Sequence, residues 1–263
     1  MSHFYLTLPS NSSMKFFPDN TAQKYVTRLA NQISLSGAWE VGLFELEFQK
    51  SWYPISAESC RFRYHYLLGD VAKSEYLRIP VGFYPSMKDV VTKINTAIAT
   101  FSTTIWPREK WANFKYDEFT QKISVQLRKG DNFEFSEEMK NVLGFSIPYM
   151  IGTMMDSYTW PADEVCDLDR RVRSLYVYCD ILEHVPIGDV KAPLLRTVAI
   201  NGKHGERIRQ IFDKPLYVPI QKKNFDTIEI DIRSETGDIV PFQFGQSSVT
   251  LHFRLSKNPY FLQ

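Results

Sequence analysis

Three segments between Val172 and Leu255 alternate apolar and polar side chains with a period of two. A strand that buries one face and exposes the other shows this alternation, and antiparallel sheets supply such strands. Turn-forming residues bound the segments, at Asn201-Gly202 and at Glu235–Asp238. The pattern predicts one half of a β-sandwich. The inward-facing side chains are Leu175, Val177, Cys179 and Ile181; Ile228, Ile230 and Ile232; and Val249, Leu251, Phe253 and Leu255.

The N-terminal part of the chain supplies further strands. Tyr25–Leu35, Trp39–Phe48 and Arg61–Leu67 each have the composition of a strand. Within Trp39–Phe48 the apolar set moves by one residue near Phe44, which predicts a bulge or a change of buried face. These strands are expected to complete the sandwich.

A short apolar run, Phe4-Tyr5-Leu6-Thr7-Leu8, ends at Pro9 and precedes the first of these strands. It predicts an extended N-terminal arm that reaches a neighbouring molecule. A frayed terminus or an edge strand is the equally weighted alternative.

The middle of the chain changes to helical spacing. Ser86 followed by Asp89 predicts a helix start, and a second helix is expected from Ser136 to Gly144. A hairpin is predicted between them, over residues 114–127. A Met-rich and aromatic connector, residues 148–161 with Met150, Met154, Met155, Tyr158 and Trp160, leads back to the strands. Residues 83–160 are therefore expected to form a small α+β subdomain inserted in a loop of the sandwich.

Composition excludes several classes of protein. Lys+Arg 31 against Asp+Glu 30 leaves a net charge of +1, which provides no global field for nucleic acid or an anionic membrane. Three widely spaced cysteines predict a reduced compartment rather than a disulfide framework. The chain opens with no signal peptide and has no apolar run of membrane-spanning length. We expect a cytoplasmic or nuclear product that neither binds a membrane nor binds nucleic acid directly.

The residues of reactive chemistry form no recognisable site. The five histidines lack the spacing of a metal-binding jelly roll, the cysteines form no C-x-x-C, and no glycine-rich loop is present. We expect no catalytic, cofactor-binding or metal-binding residues, no cofactor, no small-molecule substrate and no enzyme activity. A nucleophilic Cys–His pair, formed by residues distant in the sequence, is the alternative. Asp167 and Asp169 beside Arg170 and Arg171 predict an exposed strand start, with a basic contact to nucleic acid as the alternative.

Three blocks of sequence resemble a known family. They are LYVYCDILEHVPIGDVKAPLLRTVAINGKHGE (Leu175–Glu206), KPLYVPIQKKNFDTIEIDIRSETGDIVPFQFG (Lys214–Gly245), and FYLTLPSNSS with the later WEVGL. The chain resembles the minor capsid (penton) proteins of Polinton/Maverick-type elements and related viruses over most of its length, with the middle less specific. The resemblance implies a jelly-roll capsid protein that forms pentamers at the fivefold vertices of an icosahedral shell.

The fold predicted from residues and resemblance together is all-β: a single jelly-roll sandwich with an inserted α+β subdomain. Its N-terminal half, with the arm, is residues 1–82, the insert is 83–160 and the C-terminal half is 161–263. The implied partners are other copies of the chain, in a homopentamer, and the major capsid protein. The implied location is the virion capsid, assembled in the host cytoplasm or nucleus. A jelly-roll module that binds carbohydrate or a receptor is the alternative.

Two short stretches are predicted to lie at subunit interfaces. The first is the arm, with Phe4, Tyr5, Leu6 and Leu8. The second is the Gly188–Pro193 segment, because Pro193 cannot donate a hydrogen bond to a strand ladder and the segment must be a loop or a sheet edge. Its interface residues are Asp189, Lys191 and Pro193, with an ordinary rigid connection as the alternative.

Overall fold

The computed structural model describes residues 2–68, 70–102, 112–151, 157–169 and 172–256. Two compact units divide the chain: Met1–Trp52 with Val172–Gln263, called the sandwich unit, and Tyr53–Arg171, called the inserted unit. The helices of the described residues are α1 (Met87–Ser102) and α2 (Glu137–Leu143). Their strands are β1 (His3–Pro9), β2 (Lys24–Ser34), β3 (Trp39–Gln49), β4 (Arg61–Leu68), β5 (Val71–Arg78), β6 (Asn113–Asp117), β7 (Lys122–Arg128), β8 (Asn132–Phe135), β9 (Tyr149–Ile151), β10 (Ser157–Pro161), β11 (Ser174–Cys179), β12 (Val185–Ile187), β13 (Val190–Ala192), β14 (Leu194–Ala199), β15 (Arg207–Ile211), β16 (Tyr217–Pro219), β17 (Asn224–Arg233) and β18 (Ser248–Leu255).

The described residues of the sandwich unit form two large antiparallel sheets with jelly-roll connections, together with the small two-stranded sheet of β12 and β13. The first sheet has the order β1-β18-β3-β15, and β16 pairs with another part of β3 beside β15. The second sheet has the order β14-β11-β17-β2. In both sheets, strands from the two ends of the chain are neighbours, as in two interlocked Greek keys. The predicted jelly-roll fold is therefore confirmed.

The core of the sandwich unit follows the period-two pattern of the sequence. All but one of the side chains predicted to face inward on β11, β17 and β18 are buried, and Ile228, Ile230 and Ile232 have no exposed surface. Leu255 is the exception, since it ends β18 and is 40% exposed. The prediction that Leu255 faces the core was wrong, because the alternating pattern of β18 does not determine burial at the last residue of the strand.

The slip in the pattern of β3 is a bulge. Thr250 pairs with Glu45 and Leu251 pairs with Leu43, so Phe44 is an extra residue on β3. The bulge changes the buried set from Val41 and Leu43 to Leu46 and Phe48. One of the two predicted explanations is thus confirmed.

In the described part of the inserted unit, two sheets are combined with the helices α1 and α2. One sheet has the order β5-β4-β8-β9 and the other β10-β7-β6. The predicted helix starts are confirmed: the side chains of Ser86 and Asp89 each accept a bond from the other's backbone N–H, and Ser136 caps α2. Gly144 ends α2 in the left-handed region, at φ 81°.

The boundaries of this unit differ from the predicted 83–160. Residues 53–82 belong to it because β4 pairs with β8, for example Phe62 with Phe135, and β5 pairs with β4. The expected connector at 148–161 contains two strands, β9 on β8 and β10 on β7. Its residues Met154 and Met155 lie outside the described residues, as do Arg170 and Arg171.

Candidate assembly surfaces

The predicted N-terminal arm is an integral strand. β1 pairs with β18 along its whole length, from His3 opposite Arg254 to Pro9 opposite Ser248. Leu8 is fully buried, and the hydroxyl of Tyr25 donates a hydrogen bond to its carbonyl oxygen at 3.0 Å. The prediction of a free arm was wrong, and the edge-strand alternative is confirmed. The spacing of Phe4, Leu6 and Leu8 at every second residue is the sequence pattern that indicates such a strand.

The side chains of β1 divide between the two faces of the first sheet. Phe4, Leu6 and Leu8 point to the core, where the ring of Phe4 stacks on Phe253 with centroids 4.6 Å apart. Tyr5 points to the outer face and is 50% exposed. Of the four interface residues predicted on this strand, Tyr5 is exposed, Phe4 and Leu6 are half-buried, and Leu8 is fully buried.

Tyr5 belongs to an aromatic cluster on the outer face of the first sheet, which we call the Tyr5 patch: His3, Tyr5, Phe44, Tyr217, His252 and Arg254. The rings of Tyr5 and His252 stack at 4.4 Å, and Phe44 meets Tyr5 edge-on at 4.9 Å. The bulge places Phe44 on this face, so the feature that interrupts the core pattern also completes the patch.

The absence of a side chain at Gly42 allows the patch to form. Gly42 lies between His252 and Tyr217 in the sheet, and the Tyr217 hydroxyl is 2.7 Å from His252 Nδ1. A Cβ atom at this position would lie 2.7 Å from Pro215 and 2.9 Å from the Leu216 carbonyl oxygen. The segment of Pro215 and Leu216 therefore passes directly over Gly42 and leaves no room for a larger side chain.

Histidine 252 is enclosed by this arrangement. Besides Tyr5 and Tyr217 it has His3 edge-on at 5.4 Å, and its Nε2 atom is buried with no hydrogen-bond partner among the residues that the structure describes. Burial, together with the charges of His3 and Arg254, holds the pKa of His252 below its ordinary value. The neutral ring is therefore the form that the patch favours.

Ion pairs surround the patch on the same face. Three carboxylates of β3 pair with arginines: Glu40 with Arg254, Glu45 with Arg209, and Glu47 with Arg207. The hydrogen bond from Arg209 lowers the pKa of Glu45. Exposed tyrosine and arginine beside neutralised charges are typical of protein–protein interfaces.

The other predicted interface segment is a β-hairpin. β12 and β13 pair through Ile187 and Val190, and Gly188 has φ 58°, which the first turn residue of a type II′ hairpin requires. Asp189 and Lys191 are exposed. Pro193 is half-buried, and its carbonyl oxygen accepts a bond from the Cys179 N–H at 3.0 Å.

The structure does not bring the two predicted groups together. β1 is an edge of the first sheet, whereas the hairpin joins two strands of the second. Sequence reasoning missed Phe44, Tyr217 and His252, because their partners across the sheet are distant in the chain. The slip at Phe44 was the one available signal.

No protein-family model matches the chain, and no curated protein matches it in sequence. Among solved structures, the crystal structure of the selenomethionine-labelled mavirus penton protein is similar, with a TM-score of 0.54. The similarity covers 97% of this chain and 99% of that chain, at 12% sequence identity. The chain has the fold of a penton protein. At this identity the likeness concerns the architecture, and it agrees with the jelly-roll topology described above.

Within the penton fold, the residues of reactive chemistry remain scattered. Among residues 2–68, 70–102, 112–151, 157–169 and 172–256, no three His, Cys, Asp or Glu side chains are grouped to hold a metal ion. The three cysteines are free, and burial raises the pKa of the Cys179 thiol to about 12, so it packs as a core residue as predicted. The described residues contain no helix long and apolar enough to cross a membrane.

Proposed function

We propose that this protein is a structural subunit of a virus-like capsid, a penton protomer that occupies the fivefold vertices of an icosahedral shell. The observation that carries the proposal is the similarity to the mavirus penton protein over 97% of this chain and 99% of that one. The sequence blocks that resemble penton proteins of Polinton/Maverick-type elements support it independently. Catalysis has no part in this function.

A ring of five identical subunits needs two different surfaces on each subunit, since each copy contacts its neighbours head to tail. The sandwich unit offers two surfaces of suitable chemistry, the Tyr5 patch on the first sheet and the β12–β13 hairpin with Asp189, Lys191 and Pro193. We assign the self-association to these two surfaces. The net charge of +1 lets copies approach without strong mutual repulsion.

The second partner in the proposal is the major capsid protein, on which the ring docks laterally. The protein would then be located in the virion capsid and be assembled in the host cytoplasm or nucleus. Neither membrane attachment nor direct binding of the genome is required.

The test is the mass of the purified chain in solution, alone and with the major capsid protein. Five chains of 30.7 kDa give a particle of about 154 kDa. Tyr5→Ala should weaken assembly while the monomer stays folded, because half of that side chain is already exposed. Thr7→Ala is the matched control, since Thr7 lies on the same strand and face but outside the patch.

A chain that stays monomeric under both conditions would contradict the proposal. If that monomer bound glycans or a host receptor, the alternative of a jelly-roll recognition module would replace it. Assembly that is equally strong in the Tyr5→Ala and Thr7→Ala variants would leave the capsid role in place and remove the Tyr5 patch from the interface.

A further inference from the structure

The inserted unit has an exposed edge strand that the proposed capsid function does not use. β5 lies at the edge of the β5-β4-β8-β9 sheet, and its residues from Val71 to Tyr76 are all exposed. Four large apolar side chains of the β4–β5 hairpin are exposed: Val71 and Tyr76 on β5, and Leu67 and Leu68 at the end of β4.

The backbone of β5 is a regular template for another strand. It pairs with β4 from Arg78 opposite Arg61 to Val71 opposite Leu68 without a register shift, and it contains no proline. Its other edge pairs with no strand among the described residues. A flat edge of this length presents unpaired N–H and C=O groups, which an extended segment of another protein can satisfy by strand addition.

The charges at the Arg78 end of this edge favour an acidic partner, whereas Lys73 and Glu75, farther along β5, have opposite signs and offset each other. Arg61 and Arg78 are directly opposite each other, an arrangement of like charges that weakens a sheet. No carboxylate of the described residues pairs with either of them. Arg63 and His65 on the same face differ, because Glu134 lies 3.8 Å and 3.4 Å from their nitrogens. The uncompensated positive charge is therefore concentrated at the end of β5.

Tyr76 adds a recognition element of a second kind. Its side chain is 63% exposed, and the guanidinium of Arg63 lies 5.1 Å from the centre of its ring. This cation–π contact orients the ring beside the free edge. Tyr76 and Arg78 point to the same face of β5, so alternate residues of an added strand would lie next to them.

An acidic polypeptide fits these features better than a nucleic acid does. A nucleic-acid strand has no backbone groups that match the row of N–H and C=O groups at the edge. A strand laid across the sheet face would also bring its phosphates near the carboxylate of Glu134, which lies between Arg63 and Tyr149 in the sheet. A peptide alongside β5 meets Arg78 and stays on the far side of β4 from Glu134.

We propose that the free edge of β5 binds an extended acidic segment of a partner protein by strand addition, with Arg61 and Arg78 neutralised by its carboxylates and Tyr76 packed against it. This site lies in the inserted unit and does not depend on the capsid function. Its loss would leave self-association by the sandwich unit unchanged.

The test uses the full chain and a fluorescein-labelled peptide of alternating Glu and Thr, with the corresponding Lys-Thr peptide and a single-stranded thymidine decamer as the other probes. The acidic peptide should bind, and added salt should weaken its binding. The double variant Arg61→Ser/Arg78→Ser should lose about tenfold in affinity. Lys115→Ser is the matched control, since Lys115 is an exposed cation on β6 of the same unit.

Hydrogen exchange separates strand addition from a charge contact alone. The bound acidic peptide should slow the exchange of β5 amides in the wild-type chain. Peptide binding without added protection of β5 would overturn the proposal, as would stronger binding of the thymidine decamer. Absence of peptide binding at millimolar concentration would overturn it as well.

Discussion

The two units of the chain are built on different cores. Aliphatic residues dominate the core of the sandwich unit, where Val, Ile and Leu from two sheets interdigitate. The core of the inserted unit also contains Val, Ile and Leu, but a cluster of rings lies within it, where Phe133 stacks on Tyr64 at 4.8 Å and meets Phe114 edge-on at 5.2 Å. Ring pairs of this kind add about 0.5–1.5 kcal/mol beyond the area that they bury.

The inserted unit also contains a buried charge, whereas the described residues of the sandwich unit contain none. Asp131 has no exposed side-chain surface, and its Oδ1 atom accepts bonds from the Tyr64 hydroxyl at 2.9 Å and from Arg128 Nη2 at 2.7 Å. Its Oδ2 atom accepts from Arg128 Nε at 2.9 Å. Burial, followed by the charge of Asp131, raises the pKa of Tyr64. We therefore expect different kinds of substitution to destabilise the two units.

The largest expected effect is in the aliphatic core. Ile230→Asp removes a fully buried side chain, at about 2–5 kcal/mol, and adds a carboxylate that has neither partner nor water. The sandwich unit should unfold, as measured by urea unfolding followed by circular dichroism. Ile230→Val is the control and should cost about 0.5–1.5 kcal/mol. Equal stability of the two variants would refute the assignment of Ile230 to the core.

The second effect concerns the buried charge. Asp131→Asn should destabilise the inserted unit by about 3 kcal/mol, because it removes the charge of the fully buried carboxylate that pairs with Arg128. Asp70→Asn, an exposed position of the same unit, should stay within about 0.5 kcal/mol of wild type. A similar urea midpoint for both variants would mean that the Asp131 contacts add little to stability.

A smaller effect should depend on pH. The pKa of His252 is lowered in the folded chain, so the unfolded chain takes up this proton first as the pH falls. The stability that neutral His252 contributes is complete above its unfolded pKa and is lost as the pH falls through that value toward the folded one. His252→Gln should therefore reduce the fall in urea midpoint between pH 7.5 and pH 5.5. His184→Gln, an exposed control, should not. An unchanged pH dependence in His252→Gln would contradict this origin.

The smallest effect is expected at Glu229, which is adjacent to Ile230 but lies on the opposite face of β17. Its carboxylate is 3.1 Å from Lys24 Nζ, and both side chains are substantially exposed. Glu229→Ala should change the free energy of unfolding by about 0.5 kcal/mol or less. A loss of stability comparable to that of Ile230→Asp would mean that Glu229 lies on the buried face of β17, contrary to the assignment.

The strands of the sandwich could be predicted because their pattern is local. Ile228, Ile230 and Ile232 record a buried face at a spacing of two residues, and Ser86 and Ser136 mark helix starts by their own capping chemistry. β5 could not be predicted in this way. Its residues from Val71 to Tyr76 are exposed on both faces, so they show no alternation, and pairing with β4 defines the strand.

The candidate surfaces were less predictable for the same reason. Tyr5, Gly42, Tyr217 and His252 meet only after four strands are assembled in the first sheet. The burial of Leu8 likewise depends on β18, which is near the other end of the chain. The unit boundary at Tyr53 depends on β4 joining β8. Contacts between residues so far apart in the sequence produce no regular spacing of residue types from which they could be predicted.

The most direct test of separate cores is hydrogen exchange on the full-length Ile230→Asp chain. We predict that the amides of β11, β17 and β18 lose their protection, while those of β4, β7 and β8 exchange as slowly as in the wild-type chain. The buried residues of the inserted unit form a cluster of their own, which is the physical reason for this expectation. Loss of protection throughout both units would contradict the account, because it would show that the inserted unit cannot stay folded without the aliphatic sandwich.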